Sequence, residues 1–105
     1  AAGDAPNAAS ASQVHNNWAT ALLAMDQPGE AFDHLRTAER LNPDAFDPHY
    51  NLGQLLYRAG QYDAAVVELG KAVRIKPDHV GAQRALTAAQ AAAAAASGTD
   101  TASPR

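Results

Sequence analysis

The chain contains no cysteine, so disulfide scaffolds, thiolate nucleophiles and cysteine-ligated metals are all excluded. Aromatic residues are scarce: three Tyr, two Phe and one Trp in 105 residues. No apolar run approaches the roughly 18 residues that a membrane-spanning helix needs. Nor is there a charged segment followed by an apolar one at the N-terminus, and no leader peptide is read in the sequence. Eight basic residues against eleven acidic ones, interspersed, give a net charge of −3. That leaves no basic stripe for nucleic acid or anionic lipid.

What is present is mostly alanine. The 47% hydrophobic content includes 27 Ala, and the 22 larger apolar residues all lie between Val14 and Leu86. Burying a large apolar side chain contributes roughly 1.5–3 kcal/mol and an Ala much less, so that window must supply the core. Residues 1–11 and 97–105 are small, polar and Pro-containing, and are expected to be a disordered linker and tail.

Displacing the chain by 34 positions superimposes it on itself without a gap. His15 falls on His49, Asn17 on Asn51, Leu22 on Leu56, Ala31 on Ala65, Leu35 on Leu69, Ala38 on Ala72, and Pro43 on Pro77. Each unit divides into two segments of helical period. In the second unit Tyr50, Leu52, Leu55, Leu56 and Tyr57 precede Gly60, which fits a left-handed C′ position. Tyr62, Ala65, Val66, Leu69, Ala72 and Val73 follow, with Pro77 ending the run. In the first unit the break falls at Asp26-Gln27-Pro28-Gly29. Asp44 and Asp78 are candidate N-caps, with Asp47 competing in the second unit. Small residues at 31, 38, 65 and 72, facing Ala19 and Gly53, predict close approach of the two helices in each hairpin.

These residues resemble the tetratricopeptide-repeat pattern, most continuously in YNLGQLLYRAGQYDAAVVELGKAVRIKPD, with Leu52-Gly53, Tyr57, Gly60, Tyr62, Ala65, Leu69, Ala72 and Pro77 at the family's landmarks. The first unit departs from it: Trp18-Ala19 stands where Leu-Gly is usual, and Pro28-Gly29 replaces aromatic-Asp. The resemblance covers about 85 residues. It implies an all-α fold, a right-handed α-solenoid of antiparallel hairpins with five helices. The expected divisions are repeat 1 over 12–45, repeat 2 over 46–79 and a capping helix over 80–96.

The resemblance also implies that the first helices of successive repeats line a groove for another protein or an extended peptide. On this chain that places Asn16, Asn17 and Thr20 from repeat 1, Tyr50, Asn51, Gln54, Tyr57 and Arg58 from repeat 2, and Arg84 from the cap as binding residues; Gln13 and Asp47 lie beside them. Asn17 and Asn51 share a repeat position that in some relatives forms an amide ladder along a peptide backbone, against a merely solvated role here. The family's clamp for chaperone tails is not expected: Asn16 replaces its first Lys, Gly81 and Ala85 fill its third-helix positions, and only Asn51 matches.

No catalytic constellation is read, and neither an enzyme nor a cofactor is expected. His15, His34, His49 and His79 have no close-spaced partner, so packing is expected in place of metal ligation. Asp33 and Glu68 are expected on polar faces, paired with Arg36 and Lys71. The expected role is a protein-binding adaptor module. The alternative is a structural or oligomerisation domain of a larger enzyme or secretion or assembly protein, self-associating weakly through its Ala-rich last helix. High alanine content suggests a bacterial origin, and either a cytoplasmic or a periplasmic setting suits the composition.

Overall fold

The computed structural model describes residues 7–102, with side chains as far as residue 97. The outer parts of the expected linker and tail, 1–6 and 103–105, lie outside the described residues. Among the described residues five helices follow one another: α1 (Ala8–Ala24), α2 (Pro28–Leu41), α3 (Phe46–Arg58), α4 (Tyr62–Ile75) and α5 (Val80–Ala102). The ends obey the 34-residue displacement: Ala24 corresponds to Arg58, Pro28 to Tyr62, Leu41 to Ile75 and Phe46 to Val80. α5 is thus the first helix of a third unit, and the architecture is an all-α solenoid of hairpins.

Each turn has a local cause. Both units reverse direction through a left-handed residue, Gly60 at φ 80° and Asp26 at φ 59°. Gly adopts that region without steric cost, whereas Asp only tolerates it. Pro28 occupies the first position of α2, where its missing N–H costs nothing. The second reversal places Pro43 and Pro77 two residues beyond α2 and α4. His49 Nε2 lies 2.6 Å from the Pro43 carbonyl and donates to it, and Gln83, at the equivalent position, donates its amide to the Pro77 carbonyl.

Two local expectations change. Asp44 and Asp78 do not cap: the residue preceding α3 is Ala45, which makes no side-chain cap, and His79 Nδ1 accepts the Ala82 N–H at the start of α5. α1 begins at Ala8, four residues ahead of Ser12. There Asn7 caps the helix by accepting the Ser10 N–H at 2.7 Å, and Ala-rich sequence propagates well. α5 likewise runs beyond Ala96.

The small-residue positions carry the packing. Ala19, Ala31, Ala38, Ala65 and Ala72 are wholly buried, as are Leu35 and Leu69 beside them. A Cβ at Gly53 would stand 2.5 Å from Leu69 Cγ, so that contact requires glycine. Leu22, Leu35 and Leu52 form a cluster shared by both repeats, while Phe46, Tyr50 and Ile75 gather with Ala72 and Ala82 under α5.

Candidate binding groove and the joint between repeats

The first helices of the three units share one side of the molecule. Asn51 on α3 donates its amide to Asn16 Oδ1 on α1 at 2.9 Å, with Asn16 almost fully buried. Between α3 and α5 lies a cleft of about 170 Å³ lined by Gln54, Tyr57, Arg58, Leu69, Ala85 and Ala88. Its floor is apolar because Gly53 lets Leu69 rise between the helices, and its rim carries an amide, a phenol and a guanidinium. Tyr57 is 38% exposed and held edge-on against Tyr62, with centroids 5.4 Å apart.

The expected binding residues therefore divide. Gln54, Tyr57 and Arg58 meet around the cleft. Tyr50 is half-buried, its ring packed on Phe46 and His79, and a Cβ at Gly81 would meet its hydroxyl. Thr20 is exposed and its hydroxyl donates to the Asn16 carbonyl of its own helix. Arg84 is exposed and lies outside the cleft lining. Asn17 and Asn51 are not equivalent rungs. Asn17 accepts from Gln13 Nε2 on its own helix, whereas Asn51 reaches across to Asn16.

A second constellation sits at the joint, where α2, α3 and α4 meet. His49 is 1% exposed. Its Nδ1 is 2.9 Å from Glu68 Oε1 and 3.0 Å from Glu39 Oε2. The outer oxygens of both carboxylates face cations: Arg36 lies 3.6 Å from Glu39 Oε1, and Lys71 lies 3.6 Å from Glu68 Oε2. Hydrogen bonding to Glu68 raises the His49 pKa against the opposing effect of burial, helped by the Pro43 carbonyl. Burial pushes Glu68 up, but the hydrogen bond from His49, the adjoining Glu39 carboxyl and Lys71 bring it down to about 2. Burial and the neighbouring Glu68 carboxylate hold Glu39 above the usual range.

This overturns the placing of Glu68 on a polar face. It is buried, because the solenoid folds α4 back against His49. The Lys71 pairing stands, but Arg36 pairs with Glu39 and not with Asp33. The signal was available in principle: Glu68 lies one residue before core Leu69, on the edge of the inward stripe. The sequence alone could not bring Glu39 from one repeat onto His49 of the next.

A profile described as Tetratricopeptide repeat matches residues 16–80. The chain belongs to the tetratricopeptide-repeat family. Among curated proteins no match was found. Repeats of this family are generally non-catalytic modules that mediate protein–protein interaction. Among the described residues of this repeat protein, no helix is long and apolar enough to cross a membrane.

Proposed function

We propose that this tetratricopeptide-repeat chain is an adaptor that holds an extended segment of a partner protein along its α1–α3–α5 side. The cleft between α3 and α5 carries the reading. An apolar floor of Leu69, Ala85 and Ala88 suits a small aliphatic side chain, and Gln54, Tyr57 and Arg58 suit the peptide groups beside it. Tyr and Arg supply large contact areas and are enriched among residues that dominate binding energy. Arg58 gives a preference for a carboxylate near the anchored residue. Asn51 retains its carbonyl oxygen as an acceptor for a peptide N–H. Screening a peptide library on the full chain, then substituting Tyr57→Ala and Arg58→Ala, tests the assignment. Each is expected to weaken the selected peptide by roughly tenfold or more. Binding unchanged by both substitutions would exclude this cleft.

The second reading is the structural one, in which the chain stacks on another helical segment. Val14 and Trp18 are 59% and 52% exposed, yet their counterparts Pro48 and Leu52 are buried. That adds the outer side of α1 to the Ala-rich α5 as a candidate association surface. Sedimentation of the chain beside Trp18→Gln checks it: self-association abolished by the substitution supports stacking, and a concentration-independent monomer removes self-association.

A further inference from the structure

The joint between the repeats contains three polar side chains aimed at one point, and the single Nδ1–H of His49 cannot satisfy both carboxylates. The His49 ring donates Nε2–H to the Pro43 carbonyl, so Nδ1 is the only nitrogen left to face the carboxylates. A single hydrogen on Nδ1 points along one line, and the hydrogen bond goes to Glu68 Oε1. Glu39 Oε2, only 3.0 Å from the same nitrogen, is buried and makes no hydrogen bond among the described residues. An acceptor left in that condition costs free energy that an ion placed among the three groups would recover.

We infer that Glu39, His49 and Glu68 form a divalent transition-metal site of the zinc class, bridging the two repeats. One ligand atom from each residue falls within 4.8 Å of the other two. Tetrahedral Zn²⁺ with bonds near 2.0–2.1 Å separates its ligands by about 3.3 Å. The observed 2.9 and 3.0 Å separations need to open by only about 0.3–0.4 Å to admit the ion. The surroundings are those of a ligand set. The Pro43 carbonyl fixes the imidazole tautomer, while Arg36 and Lys71 hold the outer carboxylate oxygens and turn the inner ones towards His49.

Two carboxylates and a neutral imidazole balance the charge of a divalent ion, which limits the cost of burying it. The mixed nitrogen and oxygen set suits zinc better than calcium or magnesium, which favour oxygen donors. Glu39 and His49 also line a cleft of about 490 Å³, the side from which a fourth ligand would reach the ion. Because Glu39 belongs to the first hairpin and the other two ligands to the second, a bound ion ties the hairpins together.

The test is calorimetric and thermal titration of the EDTA-treated full chain with ZnCl₂, with MgCl₂ as a control. Zinc at a hundredfold excess over its Kd is expected to raise the melting temperature by roughly 10–20 °C. Glu39→Gln keeps shape and removes the charge, and is expected to weaken zinc binding at least about tenfold. The double substitution His15→Gln and His34→Gln removes the other histidine pair and is expected to leave it unchanged. A proton NMR titration of the histidine rings provides an independent readout in the unsubstituted chain: zinc should move His49 first. Absence of zinc binding overturns the inference and leaves the joint holding a proton. So does binding that survives Glu39→Gln but disappears with the histidine pair.

Discussion

The two hairpins share a backbone plan and diverge where a neighbouring helix does or does not cover them. At one repeat position stand His15 and His49, and the residues facing them on the second helices are His34 and Glu68. In the first hairpin the two Nδ1 atoms are 2.9 Å apart, with Trp18 stacked on His34 at 4.1 Å. In the second, α2 delivers Glu39, and the pair becomes a buried His–Glu–Glu cluster. Trp18 is half exposed, while its counterpart Leu52 is 1% exposed. The same position is thus surface or core depending on whether another helix lies over it. A repeat protein is stabilised by its interfaces as much as by its units.

Removing the histidine from each hairpin is the strongest way to break that comparison. His49→Ala strands two buried carboxylates together and is expected to cost about 3–5 kcal/mol, against less than about 1 kcal/mol for His15→Ala, by urea denaturation. Equal losses would show that the joint contributes nothing special. Next comes the apolar pair: Leu52→Ala is expected to cost about 2–5 kcal/mol and Trp18→Ala roughly 1 kcal/mol or less. A Trp18 loss as large as that of Leu52 would reveal a covered α1 in solution.

The pH dependence separates the joint's charges. The folded His49 pKa is raised, so its contribution is complete below the unfolded value and is lost as pH rises through the folded one. Glu68 is lowered to about 2, so its contribution is present above the unfolded value and is lost as pH falls towards 2. Glu39 is raised and favours the acid side, like His49. Metal-free protein is therefore expected to be most stable in mildly acidic solution and to weaken on the alkaline side. Melting temperatures across the pH range check this, and Glu68→Gln should flatten the profile.

The smallest contrast is at the hairpin turns. Gly60→Ala is expected to destabilise by about 1–2 kcal/mol, because φ is positive there. Asp26→Gly is expected to stabilise by no more than about 1 kcal/mol, since glycine's entropy in the unfolded chain offsets part of the relief. A destabilising Asp26→Gly would mean that the Asp side chain holds its own turn.

The 34-residue register, the paired prolines and the Ala31, Ala38, Ala65 and Ala72 stripe made the hairpins legible before any coordinates, because they are local and periodic. Gly60 was legible as a left-handed residue; the break at Asp26–Gly29 was legible too, but not that Asp26 takes the positive φ there, since glycine is the residue that usually does. Around the groove, Gln54, Tyr57 and Arg58 could be placed together from the family resemblance, whose first-helix positions they occupy. The separate fates of Asn17 and Asn51 could not, because an amide chooses among partners at nearly equal distances. The histidines show the limit most plainly. Ligand spacing along the chain gave His49 no partner, and yet Glu39 and Glu68, ten and nineteen positions away, both converge on it. Sequence determined the helices and their repeat, since side-chain period and backbone preference act over a few residues. Only tertiary structure decided which polar groups were buried together, because that depends on the angle at which one hairpin lies upon the next.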